Sequence, residues 1–456
     1  MAEDRAVIRW ESPVWAHIDR PDLIDGYLRY AYEWWQQGQY RKVRREARAR
    51  LVDKKGYFLA GFVPRVQRYL GQRGVEVVLK GPDFVVPAAA LTGLAGITYR
   101  EDQKRALQDI LMAGRGVHQA PTGSGKTLLI AGLVASVGAR SLVIVHTTAL
   151  LTQTVAELSR WNKAVGSVGA GEWQLEPVTV AMRQTLAARI KDGTLDGDFS
   201  DRWGLVIVDE AHHVNTLKGD YAEILGRVGA PMRVGFTATL PKTEEGLMAM
   251  EGLLGPPVGR TSYEELERID VLAKPRIRFY RVPENPKLRE TRGSYAQVYD
   301  VVVVRNRRRN MLIVEKAAEQ IEAGKSVLIL CERIEHGERL MELLDAKAPG
   351  AFTFLQGSTG EDVRDGEKRA FELKERMGVV ATRVWSEGVN IRSVDVIVNA
   401  VGGESEIATI QRAGRGMRAT DTKKEVLILD FLDRNHRWMA DHSMSRVCTY
   451  SENGWM

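Results

Sequence analysis

The eight residues Ala120–Thr127, APTGSGKT, carry one well-defined chemistry: they can cradle a polyphosphate. The run satisfies the spacing G-x-x-x-x-G-K-[ST], except that Ala120 stands in place of the first glycine. Glycines without side chains let the backbone wrap phosphate oxygens, whose charge then meets the N–H groups at a helix N-terminus. On this reading Pro121, Thr122, Gly123, Ser124, Gly125, Lys126 and Thr127 form a nucleotide cradle. Lys126 reaches the β- and γ-phosphates, and the Thr127 hydroxyl holds Mg²⁺. A Gly/Ser-rich turn with a chance Lys-Thr pair is the competing reading. The context weighs against it, because Arg115–Gln119 reads as a short strand and Leu128–Val137 as an apolar helix, and the motif needs both.

A second cluster follows downstream. Val206–His213, VIVDEAHH, puts two carboxylates and a histidine at the end of a buried strand. Asp209 has the position to bind Mg²⁺ through water, and Glu210 to orient or deprotonate the water that attacks a γ-phosphate. An Asp-Glu pair after a strand is weak alone and strong behind a phosphate loop in the same sheet. For His212 and His213 a zinc role is the obvious rival, but adjacent histidines diverge and no further ligands lie nearby in sequence.

Positioning these groups requires a parallel sheet, and the chain has the rhythm for one. From about Ile97 short apolar strands alternate with helices: Ser141–His146, Val178–Ala181, Leu205–Val208 and Arg233–Thr237 as strands, Leu150–Trp161 as a helix. That pattern predicts a parallel sheet covered on both faces, with ligands at the carboxyl ends of its strands. Gly255–Gly259 and the charged segment Tyr263–Lys274 read as a connector. A second block with the same rhythm follows, with strands Val327–Leu330, Phe352–Leu355, Gly378–Ala381, Val394–Val398 and Val426–Asp430 and a helix Met311–Ala323. It has no phosphate loop of its own, so the expectation is that it closes over a nucleotide held by the first.

Residues 1 to about 90 read differently. Tyr27–Arg50 combines Trp34, Trp35 and Tyr40 with Arg41, Lys42, Arg44, Arg45, Arg48 and Arg50, types that contact phosphates and stack on bases. A solvated arginine face is equally consistent. Phe58–Gly74 reads as a short helix and Val75–Lys80 as a strand, making a compact α+β module, with Pro82 and Pro87 marking a connector.

The bulk numbers set bounds. A chain of 456 residues is too long for one core. No apolar run approaches the ~18 residues of a membrane span. The charged start MAEDRAVIRW does not read as a secretory signal, and two distant cysteines, Cys331 and Cys448, point to a reducing cytoplasm rather than a disulfide framework. The excess of basic over acidic residues is 65 − 59 = 6, mild but clustered.

With these motifs on the page, the chain resembles a superfamily 2 helicase or translocase of the DEAH-box type over residues 97 to about 420. Tyr99-Arg100-Glu101-Asp102-Gln103 resembles the family's adenine-reading element, in which Gln103 would bond the base edge with Arg100 or Tyr99 packing nearby. Val145–Gln153 resembles motif Ia, which touches the nucleic-acid backbone, and Phe236–Thr239 motif III, whose Thr237 and Thr239 would link the ATP site to the strand-binding face. In the second block Leu328–His336 resembles motif IV, Ala381–Ile391 motif V and Gln411–Arg418, QRAGRGMR, motif VI. The resemblance assigns Gln411, Arg415 and Arg418 to catalysis beside Lys126, Asp209, Glu210 and His212, and Glu387 and Gly388 to nucleotide binding. Gln411, Arg415 and Arg418 would share one helical face, where bidentate cations meet the charge developing on a γ-phosphate. Asn390 where the family often has Asp, and His146 where proline is common, are departures.

The resemblance therefore implies an α/β protein: two RecA-like parallel-sheet domains in tandem, residues 91–262 and 263–456, behind a small α+β domain at 1–90. The N-terminal segment Leu59–Arg65 resembles that of phage helicases that remodel branched DNA, and the motor is also similar to the xeroderma pigmentosum B type and to restriction-enzyme motor subunits. ATP and Mg²⁺ are the implied cofactors and DNA, branched or forked, the implied partner of a monomer, with RNA less favoured. An ATP-gated nucleic-acid clamp, a duplex translocase that does not unwind, an RNA helicase and a small-molecule kinase stay open. The densest basic run of the second block, Arg305, Arg307, Arg308 and Arg309, fits a phosphate track, an interdomain clamp or a plain charged helix start.

Overall fold

The computed structural model describes residues 5–37, 42–81, 89–162, 164–195, 197–382, 394–403, 425–452 and 454–456; residues 33–37, 42–45, 361 and 365 are described by their backbone alone. The chain divides into two compact units, Met1–Ala120 with Gly125–Thr261, and Pro121–Ser124 with Ser262–Met456. Among the described residues no helix is long and apolar enough to cross a membrane.

The first unit opens with β1 (Arg5–Trp10) and β2 (Trp15–Ile18), then a hairpin of β3 (Arg29–Gln37) and β4 (Lys42–Arg50), then β5 (Tyr57–Leu59), the helix Val63–Gln72 and β6 (Glu76–Lys80). Strands β5, β2, β1 and β6 form one sheet in that order; β3 and β4 pair only with each other. The aromatic and basic stretch Tyr27–Arg50 is thus mostly a β-ribbon, with Tyr40 and Arg41 outside the described residues. Pro82 and Pro87 also lie outside them.

The main sheet follows: β7 (Arg115–Gln119), β8 (Ser141–Val145), β9 (Val165–Gly169), β10 (Glu172–Trp173), β11 (Val178–Met182), β12 (Leu205–Asp209), β13 (Met232–Thr237) and β14 (Pro257–Arg260). They lie in the order β10-β9-β11-β8-β12-β13-β7-β14. Every pairing is parallel except β9 with β10. The two-residue period of a strand divides its side chains between two cores. Val206 and Val208 enter one hydrophobic cluster, Leu205 and Ile207 the other. Gly255–Gly259, expected as a connector, instead leads into the edge strand β14, since Pro257 at the first position of an edge strand forfeits no ladder bond.

The N-terminal sheet does not stand apart. Ile8, Phe58, Phe62, Val66 and Leu70 share a cluster with Val117, Ile144, Val208, Met250 and Leu254 of the main sheet and its helix Glu244–Leu254. Two close approaches fix this seam. A Cβ on Gly61 would lie 2.0 Å from the Glu251 carbonyl oxygen, so only glycine lets the backbones meet there. Arg65 forms a two-bond bridge to the buried Glu251, Nε–Oε1 2.8 Å and Nη2–Oε2 2.6 Å.

The second unit is built on β15 (Lys274–Arg281), β16 (Val327–Leu330), β17 (Phe352–Leu355), β18 (Gly378–Ala381), β19 (Val396–Asn399) and β20 (Glu425–Leu432), in the order β15-β20-β19-β16-β18-β17 and parallel throughout. Leu328 and Leu330 face one core, Val327 and Ile329 the other. Both sheets are therefore of the doubly covered type that the alternating pattern demands.

Candidate active site

Strand β7 delivers the chain to the phosphate loop. The Ala120 N–H donates to the Thr237 carbonyl at 2.8 Å, extending the β7–β13 ladder by one step. The loop turns with the Ser124 N–H donating to the Pro121 carbonyl, and Gly123 and Gly125 take left-handed φ of 87° and 96°. Gly125 caps the helix Lys126–Val137, and a Cβ there would lie 2.8 Å from the Gln103 amide nitrogen, so both space and backbone angle call for glycine. Lys126 Nζ lies 3.5 Å from the Ala120 carbonyl and 3.5 Å from Glu210 Oε1. Thr127 sits half-buried in the first helical turn.

Strand β12, with all five residues buried, carries Asp209 at its carboxyl end. Burial and the neighbouring Glu210 charge push the Asp209 carboxyl up to about 6, against the pull of Lys126, the Glu210 N–H and His146. That N–H donates to Asp209 Oδ1 at 2.9 Å. Glu210 itself is left-handed, φ 53° and ψ 53°, a conformation that costs a side-chain-bearing residue about 1–2 kcal/mol. The twist turns its carboxylate back toward the loop, where it meets Lys126. A strained acidic residue beside a lysine is a common form of built catalytic geometry.

His212 connects this strand end to the next. Its Nδ1 lies 3.0 Å from Thr237 Oγ1 and 3.4 Å from Glu210 Oε2. Because the Thr237 hydroxyl donates to the Thr239 carbonyl at 2.7 Å, Thr237 accepts from the histidine, which fixes Nδ1 as the protonated nitrogen. The ring of His213 lies 4.3 Å from those of both His146 and His212. The Asp-Glu segment and Thr237 are thus joined by a direct side-chain contact.

The residues expected to read adenine separate into two groups. Gln103 is buried and accepts from the Arg100 N–H at 3.2 Å, while the Arg100 guanidinium is bidentate on Asp102 at 2.9 and 2.8 Å. Tyr99 is no base-packing residue. It is buried against the helix Lys126–Val137, its hydroxyl where a Cβ on Gly132 would come within 2.6 Å, and donates to the Thr92 carbonyl at 3.3 Å.

In the second unit Gln411, Arg415, Arg418, Glu387, Gly388 and Asn390 lie outside the described residues. The basic run is not a phosphate track as a whole. Arg309 is fully buried, bonding Asp433 at 3.1 Å and the Ala400 carbonyl at 3.0 Å, and Arg305 pairs with Asp300 at 2.7 Å and Glu335 at 3.3 Å. Arg308 donates to the Glu284 carbonyl, and Arg305, Arg307 and Arg308 are all exposed. Sequence reasoning also missed the core network on Asp430, which accepts from Arg446 Nη2 at 3.0 Å, Tyr450 at 2.7 Å and Asn399 at 2.9 Å. Burial pushes its carboxyl up, but Arg446 and these donors outweigh that and hold it below the usual range.

The residues of the first unit fit a magnesium nucleotide: the left-handed Gly125 opens a helix N-terminus, a lysine stands beside it, and a buried carboxylate and a threonine hydroxyl supply hard oxygen donors.

Residues 96–242 match the family described as type III restriction enzyme, res subunit, and residues 309–420 the helicase conserved C-terminal domain. The chain is similar to the superfamily 2 helicases. It is 29% identical over 422 residues to the Halobacterium salinarum protein described as "Putative DNA 3'-5' helicase Rad25", covering 89% of this chain and 66% of that one. It is 23% identical to the ATP-dependent DNA helicase uvsW of Enterobacteria phage T4, covering 73% and 68%. The chain therefore spans about two thirds of the length of these relatives. Among solved structures, S. cerevisiae Dbp5 bound to RNA and ADP BeF3 superposes with a TM-score of 0.53 at 16% identity, over 78% of this chain and 88% of that one. The fold is that of the tandem RecA-like helicases.

Proposed function

We propose that this protein is an ATP-dependent DNA helicase or translocase that couples Mg²⁺-assisted ATP hydrolysis to the remodelling of branched or forked DNA. The observation that carries the reading is the meeting of Lys126 and Glu210 at 3.5 Å where the loop after β7 and the end of β12 converge, with Asp209 beside them. In this reading Lys126 and the loop N–H groups hold the phosphates, with Pro121–Ser124 and Gly125 wrapping them, and Gln103 and Arg100 hold the base end. Thr127 and Asp209 would hold Mg²⁺, which would supply positive charge against the phosphates. Glu210 takes a proton from the attacking water, and His212 passes the state of the Glu210 carboxylate to Thr237. Gln411, Arg415 and Arg418 are assigned to the γ-phosphate, with Glu387 and Gly388 also at the nucleotide. DNA rather than RNA is supported by what the Rad25 and uvsW relatives are named for; their grip on a uniform backbone would give low sequence specificity and steep salt dependence.

The test is ATP turnover with single-stranded, duplex, forked and four-way DNA and matching RNAs, beside strand displacement on the forked substrate. Stimulation strongest on branched DNA with displacement is expected; turnover without displacement would make the protein an ATP-gated clamp. Lys126→Ala should abolish turnover, and Glu210→Gln should bind ATP yet stall. Arg418→Ala should lower kcat far more than nucleotide affinity, and an equal loss of both would remove that arginine from catalysis.

A further inference from the structure

Among the described residues one face of the N-terminal sheet is largely buried, and the other, apart from Leu59 at the end of β5, carries exposed or half-buried side chains. Ala6, Ile8, Ala16, Ile18 and Phe58 point into the shared core. The alternate residues point the other way, and register places four of them in one row across the sheet: Tyr57 opposite His17, His17 opposite Arg9, Arg9 opposite Lys80. Tyr57 is 39% exposed and Arg9 and Lys80 are open to solvent. Two residues along β2 from His17, on the same face, Trp15 is 46% exposed. The rings of His17 and Tyr57 meet edge to face at 5.0 Å, which holds the tyrosine in place, and the His17 ring nitrogen is tied to the Lys55 carbonyl at 2.9 Å. Trp15 also borders a cavity of about 510 Å³ lined in addition by Arg202, the exposed Arg227 and Asp201.

We propose that this open face of the N-terminal sheet is a stacking platform for single-stranded nucleic acid, with Trp15 and Tyr57 taking two bases and Arg9, Lys80 and Arg227 following the phosphates. The inference rests on the proposed helicase function and assigns the module's binding to this face rather than to the β3–β4 ribbon. Trp15 and Tyr57 are diagonal neighbours on adjacent strands, so they form one contiguous aromatic patch rather than two scattered rings. Diagonal neighbours on adjacent strands lie roughly 7–8 Å apart, about two base-stacking steps, so each ring takes its own base rather than sharing one. A duplex hides its base faces, whereas a separated strand presents them, and stacking tolerates any sequence. Basic residues gather at this face: beside Arg9 and Lys80 stand Arg5, Lys54 and Lys55, with Glu11, which pairs with Arg9 at 3.7 Å, Glu76, the register partner of Arg5, and Asp19 and Asp53, whose carboxylates accept from the Val7 and from the Lys55 and Tyr57 backbone N–H groups.

The experiment uses the full chain and a fluorescein-labelled oligothymidylate, read by anisotropy, beside a duplex of equal length. Trp15→Ala and Tyr57→Ala should each weaken single-strand binding by about tenfold, the range that loss of one base–aromatic stack gives, and weaken duplex binding much less. Trp15→Phe and Tyr57→Phe, which keep a ring, should restore most of it. Arg9→Ala with Lys80→Ala should flatten the dependence of log K on log salt by about 1.4. All these positions are at the surface, so melting temperatures should match the parent and confirm folding. Photocrosslinking with 5-iododeoxyuridine in the oligonucleotide should mark Trp15 or Tyr57. Alanine variants that bind the strand like the parent, or crosslinks confined to other residues, would overturn the platform. A parent chain whose ATP turnover ignores every DNA would instead sink the helicase reading and leave the binding result standing.

Discussion

Asp209 is a carboxyl held at the end of a buried strand against its own solvation. Its folded value of about 6 lies above the ordinary 3.8, so between those values the folded chain binds more protons than the unfolded one. Stability contributed by this group must therefore fall as pH rises from about 4 to about 6, and the full penalty persists above that. A shift of this size is worth roughly 3 kcal/mol. Asp209→Asn should accordingly stabilise the metal-free protein at pH 7.5 by a few kcal/mol, the gain vanishing below about pH 4, as denaturant unfolding in chelator would show. A gain independent of pH would mean the carboxylate is not the cause. Glu210 stores strain of a different kind. Since the left-handed backbone at φ 53° suits glycine, Glu210→Gly should be more stable than Glu210→Ala by about 1 kcal/mol while both lose turnover. Equal unfolding midpoints for the two would remove backbone strain from the account.

Between elements, the seam joining the N-terminal helix Val63–Gln72 to the helix Glu244–Leu254 depends on one charge pair and one glycine. Glu251 is buried and Arg65 only partly so; the bond to Glu251, against the cost of burial, raises the arginine above its ordinary value. Removing the arginine alone strands a buried carboxylate, which costs about 3–5 kcal/mol where burial is complete. Arg65→Met should thus destabilise by about 2–3 kcal/mol, and adding Glu251→Gln should recover much of the loss, a coupling that a double-mutant cycle reads directly. Strict additivity would count against the bridge. The same elements show what the sequence can and cannot carry. Strand β7 and the helix after Gly125 are legible because the phosphate loop constrains both flanks, and β8 and β12 because a fully buried parallel strand is written as an apolar run. Arg309 and Arg446 are not, since a buried arginine looks like a surface one until its partner, 124 or 16 residues away, is known. Nor is Tyr99, whose place was decided by the hollow over Gly132. The left-handed turn at Glu210 leaves no trace in a residue type that normally avoids it.

For the molecule as a whole, the consequential fact is that the N-terminal sheet and the nucleotide-holding sheet solidify around one core. Sequence reading sets residues 1 to about 90 apart because their composition differs, yet hydrophobic burial is blind to such a boundary. Ile8, Phe58, Phe62 and Leu70 cover Met250, Leu254 and the same face of the main sheet to which Val206 and Val208 belong. Arg115, at the start of β7, donates to the Pro13 carbonyl at 3.2 Å, so even the strand that leads to the phosphate loop is pinned by the module. Removing residues 1–90 would expose this apolar face, at about 25 cal/mol for each Å² returned to water. The truncated chain should therefore melt well below the full one, bind ANS, and lose nucleotide affinity together with DNA binding. Gly61→Ala, which keeps every residue but forces the two helices apart, should reproduce the melting loss in part. If the truncated chain instead bound ATP and melted like its parent, the module would be a detachable DNA-binding attachment; the shared core argues that it is part of the motor's foundation.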